Sequence, residues 1–354
     1  MPIQTESINA RQTDRTVIKC VVWDLDNTLW HGVLLEEQVT LRHQVVDIIK
    51  TLDSRGILQS LASKNENTLA LAKLQEWELV EYFLYPQINW NSKVASIRTI
   101  AQFLNIGFEA IAFIDDQPFE LEEVRFSLPE VLCINAIELN NLLDLPVMQP
   151  RFITSDSRQR RLMYLSDIQR DRAEAEFVGP QTEFLATLNM NFTIAIARKE
   201  DLRRAEELTI RTNQLNTTGD SYSYDELDRL RQSERHKLLV ASLDDRFGSY
   251  GKIGLALVEC HPETWLIKLL LMSCRVMSRG VGTILLNYIM QLAKENQVRL
   301  MSEFVANDRN RMMYITYKFA GFREVEIHNG RSILETDLSQ IQPFPDYVSV
   351  KTIA

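Results

Sequence analysis

The residues best suited to chemistry are carboxylates at the end of an apolar run. In CVVWDLDNTLWHG (residues 20–32) Asp24 and Asp26 stand two apart, so along extended chain their side chains point the same way. Phosphoryl transfer at an aspartate needs a nucleophilic carboxylate, an acid/base, a divalent cation and donors for the phosphoryl oxygens. Further on, Ser63 ends the run LQSLAS with a hydroxyl, and Lys93 brings a positive charge to the start of KVASIRTI. Asp115 and Asp116 close AFIDD with oxygens suited to Mg²⁺. Singly, each residue has a plain explanation as a cap, a turn former or a solvated charge. Their order along the chain, each at the end of a successive apolar run or the start of a helix, points to one site.

The elements that must position them follow from the hydrophobic pattern. From Val17 to about Asn135 the apolar runs IKCVVWDL, ILQSLAS, EYFLYPQI, AIAFID and EVLCINA alternate with segments long enough for helices, at 40–55, 66–77, 92–105 and 118–127. Continuous apolar strands separated by crossover helices predict a parallel sheet covered on both faces. Ligands of such sheets bind beyond the carboxyl ends of the strands, where Asp24, Ser63 and Asp115 fall. The segment 144–156, with two prolines, reads as a boundary. A charged helix over 157–176 follows, carrying Arg158, Arg160, Arg161, Arg170 and Arg172. Such a run is ordinarily a solvated face, and on an acidic chain it is also a docking patch for an acidic partner. The rest changes rhythm. A strand (NFTIAIAR) leads into helices at 200–211 and 223–233, then three strands near 237–243, 251–260 and 264–272. A long helix from about Arg279 to Glu295, a strand, a helix at 307–319 and a last strand, FREVEI, complete an α+β pattern. The expected division is 17–143, a linker and charged helix at 144–180, a second domain at 181–330 and a tail at 331–354.

With 354 residues the chain exceeds one ordinary core, so two domains are expected. A net charge of −9 argues against nucleic acid, whose phosphates demand a basic surface. Cys20, Cys133, Cys260 and Cys274 show no metal-ligand spacing and read as reduced thiols of a cytoplasmic protein. The first sixteen residues are polar, unlike a signal sequence, and the longest apolar run is interrupted by Lys268, so no membrane span is expected.

DLDNT, LAS, SK and FIDD, in that order, resemble the haloacid dehalogenase (HAD) superfamily of phosphotransferases over roughly residues 17–136. The resemblance implies a Rossmannoid α/β domain with Asp24 as nucleophile and Asp26 as general acid/base. It implies Thr28, Ser63 and Lys93 around the phosphoryl group, and Mg²⁺ on Asp24, the Asp26 backbone carbonyl and Asp115, with Asp116 beside them. Between Thr28 and the second strand there is room for a loop and one helix, so the site is expected to be nearly capless and suited to a large substrate. Residues 190–327, with SCRVMSRGVG before a long helix, resemble the GNAT acyltransferase fold. That likeness implies Arg279, Gly280 and Gly282 at a pyrophosphate-binding turn for coenzyme A, although a plain helix start explains them equally well.

The fusion of the two, with RTNQLNTTGDSYSYDEL, DDRFGSYGKIGLALVE and LLMSCRVMSRGVG, resembles FkbH-like proteins of polyketide biosynthesis over about residues 17–325. Gln117 and Gly282 depart from that pattern, where Asn and Glu are usual. The resemblance implies a C3 acyl phosphate substrate, typically 1,3-bisphosphoglycerate. It further implies that phosphate is removed and that the glyceryl group is loaded as a thioester on the phosphopantetheine arm of an acyl carrier protein. Keeping the acyl group calls for a nucleophilic thiol. Cys20 and Cys133 lie inside strands and read as packing. Cys260 and His261 are adjacent on a strand and face opposite ways. Cys274, beside Arg275 at a strand-to-helix transition, is the candidate, since a helix dipole and a positive charge both favour a thiolate. Asn213 and Asn216 are open between binding substrate or pantetheine and forming a turn. Two other readings stay open. One is a phosphatase for a phosphoprotein or sugar phosphate with a structural second domain, and the other makes that domain a carrier-binding module without chemistry.

Overall fold

The computed structural model describes residues 17–353 apart from 213 and 329. The chain divides into two units, Met1–Leu165 and Ser166–Ala354. In the first, the elements run β1 (Cys20–Trp23), a two-residue ladder of β2 (Trp30–His31) with β3 (Thr40–Leu41), α1 (Val45–Ser54), β4 (Leu58–Ser63), α2 (Asn67–Glu76), β5 (Gln87–Ile88), α3 (Lys93–Leu104), β6 (Ile111–Asp115), α4 (Pro118–Ser127) and β7 (Leu132–Asn135). The strands β5-β4-β1-β6-β7 form a parallel sheet in that order. Every residue of β1, β4 and β6 is buried, as two covered faces require. The chain crosses first from β1 to β4 and β5, then returns to β6 on the other side of β1. The order therefore reverses between β1 and β6, where a parallel sheet opens a crevice at its carboxyl edge. Between β1 and β4 only the small ladder and α1 intervene, so the unit is nearly capless. The run EYFLYPQI yields only Gln87–Ile88 as strand, preceded by a 3₁₀ turn over Val80–Tyr82.

The expected single helix at 157–176 is two: α5 (Ser155–Arg158) and α6 (Arg160–Glu176), with Gln159 between them. The division between the units falls within α6. Three of the five arginines expected on a solvated or docking face are held by internal acceptors. Arg160 is buried and donates to the Gly56 carbonyl, while Arg161 pairs with Asp53 and lies over the Tyr82 ring. Arg170, fully buried, donates through Nε and Nη2 to both oxygens of Asp245 and stacks on Tyr250. Only Arg158 and Arg172 of the five are exposed. Arg170→Met is expected to lower stability by about 3 kcal/mol, because it leaves Asp245 buried without its cation. A shifted midpoint in urea unfolding of the full chain checks this.

The second unit continues with α7 (Gln181–Thr187), β8 (Met190–Ile196), α8 (Leu202–Arg211), α9 (Tyr224–Gln232), β9 (His236–Asp245), β10 (Gly248–Cys260), β11 (Thr264–Met272), α10 (Ile284–Glu295), β12 (Arg299–Phe304), α11 (Arg311–Phe319), β13 (Arg323–His328), β14 (Arg331–Thr336) and β15 (Val348–Ile353). Its eight strands among the described residues run in the order β13-β14-β12-β11-β10-β9-β8-β15. Alternate strand residues serve two cores. Leu239, Ala241 and Leu243 pack with Ile284, Leu285 and Tyr317, whereas Leu238 and Val240 pack with Leu202, Leu208 and Leu227. This is an α+β layer arrangement. Residues 331–353, expected as a tail, supply β14 and β15. No helix among the described residues is long and apolar enough to cross a membrane.

Candidate active site

The register of the first sheet places the carboxylates. Trp23 pairs with Ile114, and the Asp24 amide donates to the Ile114 carbonyl, so Asp24 and Asp115 leave the sheet side by side at the reversal of strand order. Lys93, the first residue of α3, lies between them. Its Nζ donates to Asp24 Oδ1 and to the Ala62 carbonyl (2.8 Å), and stands 3.0 Å from Asp115 Oδ2. Burial opposes the charge on Lys93, but Asp24 and Asp115 outweigh it and raise its pKa. Ser63 ends β4 and is buried, and Thr28 is fully buried with no hydrogen-bond partner for its hydroxyl among the described residues. A buried hydroxyl left in that state costs free energy that a phosphoryl oxygen would recover.

Carboxylate oxygens of Asp24, Asp115 and Asp116 lie within 4.8 Å of one another. Asp116 Oδ1 is buried without a hydrogen-bond partner among the described residues. Three carboxylates against one lysine leave a surplus of negative charge. Burial pushes the Asp115 carboxyl up to about 7, with Asp24 adding to the effect and Lys93 opposing it. Burial and then Asp24 raise Asp116 as well. A hard divalent cation with oxygen ligands relieves both problems, so this donor set fits Mg²⁺. Asp116, expected only beside the metal, is part of the cluster.

Asp26 is not one of the three clustered carboxylates. Its Oδ1 accepts from Trp30 Nε1 (2.7 Å) and the Leu34 amide (3.1 Å), and its Oδ2 accepts from Asn65 Nδ2 (2.9 Å). Burial raises its pKa, while the Leu34 and Trp30 hydrogen bonds oppose that shift. The turn beyond it is closed by Asn27, whose amide donates to the Gly32 carbonyl and whose Oδ1 accepts from the Gly32 amide. Asn27 and Gly32 both have positive φ, 52° and 95°, and a side chain at Gly32 would meet Glu37 at 2.9 Å. Sequence reasoning missed Trp30 and Asn65. The polar pair KN directly after LAS was the available signal for Asn65.

In the second unit, Cys274 is half-buried and opens a 3₁₀ turn, Cys274–Arg279, directly after β11. The long helix α10 starts ten residues later, at Ile284, so the dipole argument made for Cys274 does not apply to that helix. Arg275 Nη2 donates to the Tyr250 carbonyl (2.6 Å). Arg279 is buried and holds Asp171 and Glu174 of α6, and Gly280 (φ 68°) is backed by the Tyr347 hydroxyl. Gly282 has nothing near the position a Cβ would take. Asn213 lies outside the described residues. Asn216 is fully buried and forms a turn, with Oδ1 accepting from the Thr218 and Gly219 amides. Its backbone stretch fills a gap in the sheet. β11 and β12 pair only over Thr264–Ile267 with Arg299–Ser302. Past that point, Met272 N donates to Leu215 O, Thr217 N to Leu270 O, and Val305 N to Thr217 O.

No protein-family model and no curated protein sequence matches the chain. Among solved structures it is similar to the N-terminal part of protein BF1531 from Bacteroides fragilis, which contains a phosphatase domain complexed with Mg. That likeness has 28% identity over 42% of this chain and 39% of that one, with a TM-score of 0.30. It is also similar to the ribosomal-protein-S18-alanine N-acetyltransferase of Escherichia coli, at 18% identity over 43% of this chain and 97% of that one (TM-score 0.34). A third likeness is to Ard1 of Thermoplasma volcanium, at 15% identity over 41% and 95% (TM-score 0.32). Each alignment covers less than half of this chain.

Proposed function

We propose that the first unit removes phosphate with Asp24 as nucleophile and that the second passes a C3 acyl group to the phosphopantetheine thiol of an acyl carrier protein. The observation that carries the phosphatase reading is Asp24 at the end of the central strand, held by Lys93 beside two further carboxylates. Mg²⁺, held by Asp24, Asp115 and Asp116 with the Asp26 carbonyl, would neutralise charge on the phosphoryl oxygens. Thr28, Ser63 and Lys93 orient those oxygens. With 1,3-bisphosphoglycerate the two phosphates take different routes. A Cys274 thiolate attacks C1, the bond from C1 to the phosphate oxygen breaks, and inorganic phosphate leaves. Asp24 attacks the ester phosphorus, the bond to the C3 oxygen breaks, and Asp26 gives that oxygen its proton. Water then attacks the aspartyl phosphate, gives its proton to Asp26 and frees a second phosphate. Last, the carrier thiol displaces Cys274 from the glyceryl thioester. A cytoplasmic setting suits a free thiol.

Intact-mass spectrometry with 1,3-bisphosphoglycerate, Mg²⁺ and carrier protein tests this reading. A glyceryl adduct on the enzyme, absent from Cys274→Ala, is expected, as is a loaded carrier. Phosphate release with no adduct on either protein would sink the transfer. One observation favours the second reading, a capless phosphatase whose second unit only binds: Cys274 lies ten residues from the start of α10. That reading predicts carrier binding without loading.

A further inference from the structure

Arg42 is a cation whose partners among the described residues do not account for it. The ladder of β2 and β3 places it: Trp30 pairs with Leu41, and the Arg42 amide donates to the Leu29 carbonyl. From there the half-buried side chain donates Nη2 to the Asn27 carbonyl, in the turn that carries the chain out of Asp26. That single carbonyl is its only hydrogen-bond acceptor among the described residues. Among the described residues Nε is shielded from water with no acceptor, and no carboxylate is seen in an ion pair with the guanidinium. Other cations of the unit are better provided for: Lys64 has Glu120, Lys93 has two aspartates, Arg161 has Asp53, and Arg55 has the carbonyls of Leu143 and Met148.

An arginine with a shielded, unsatisfied donor is costly unless something else supplies an anion. Arg42 weakly opposes the rise that burial and Asp24 cause at Asp116, and its Nη2 holds the carbonyl of Asn27, the residue after Asp26. Arg42 also stands on the loop between β1 and β4, where a capped enzyme would insert its lid. We infer that Arg42 is a specificity residue, binding a second anionic group of the substrate, a carboxylate or a further phosphate, while Asp24 receives the phosphoryl group. This rests on the phosphatase reading above. The substrate class is then a phosphomonoester with a second negative charge a few bonds away, which a planar guanidinium can grip with two parallel hydrogen bonds.

The test compares 3-phosphoglycerate, which carries a carboxylate, with phenyl phosphate, which does not, both with Mg²⁺. The wild type is expected to prefer 3-phosphoglycerate in kcat/KM by at least about 10-fold. Arg42→Gln should raise KM for 3-phosphoglycerate roughly 10- to 100-fold at little cost in kcat, leaving phenyl phosphate within about 3-fold. Arg42→Lys, keeping the charge, should recover part of the preference. If Arg42→Gln slows both substrates equally, the residue only braces the Asn27 turn and the inference is wrong. A wild type without preference overturns it with no variant needed and leaves the phosphatase reading standing. A wild type inert toward both overturns that reading, and the inference falls with it.

Discussion

Asp24→Asn is expected to lower phosphate release by about 10⁴-fold or more, because an amide oxygen is far too weak a nucleophile to replace the carboxylate. The substitution is nearly isosteric, so the fold has little reason to change. Lys93 keeps the Ala62 carbonyl and Asp115, and the amide oxygen still accepts its hydrogen bond. The variant also removes one of three crowded carboxylates, so its metal-free stability should not fall. Single-turnover phosphate release with an intact circular dichroism spectrum separates lost chemistry from lost structure. Release within about tenfold of the wild type would mean that another group attacks phosphorus, since removing a nucleophile costs far more than that.

The residues at stake were readable because each sits at a boundary between two patterns. β1, β4 and β6 are uninterrupted apolar runs, and a polar residue ending such a run falls at the sheet's carboxyl edge. That much gave Asp24, Ser63 and Asp115 without coordinates. What could not be read depends on turns. Asn27 in a left-handed conformation sends the chain round so that Trp30 and Leu34 meet Asp26, and nothing in the spacing of DNTLWHGVL announces it. Asp116 joins the cluster because the chain turns before Pro118, the first residue of α4, which brings neighbouring side chains together as a strand would not. Arg42 escaped for the same reason, since its place is set by a ladder only two residues long.

In the second unit the alternating strands were legible and the edges were not. β15 has one buried residue, Val348, and its register with β8 is set by backbone pairing. The arginines of α6 show how composition misleads. A run of like charges ordinarily faces water, yet Arg160, Arg161 and Arg170 are committed to internal acceptors. For Cys274 the sequence predicted a helix start where a 3₁₀ turn precedes the helix, and the two share the same local preferences.

The carboxylate cluster makes a second large effect predictable, with opposite signs for activity and stability. If Asp115 holds the proposed cation, Asp115→Asn should cost about 10³-fold in kcat/KM. In the metal-free protein the same change should stabilise. Folded Asp115 holds its proton up to about pH 7, whereas the unfolded chain releases it near the ordinary 3.8. Between those values the folded state binds more protons, so metal-free stability falls as pH rises, and the penalty is complete above pH 7. The variant lacks this falling limb. It should match the wild type near pH 3.5 and exceed it at pH 8, by on the order of a few kcal/mol. Mg²⁺ binds only the ionised carboxylate, so it should raise the wild-type melting temperature more at pH 8 than at pH 6, and that of the variant little at either. Equal stabilisation of both proteins by Mg²⁺ at pH 8 would place the cation away from Asp115.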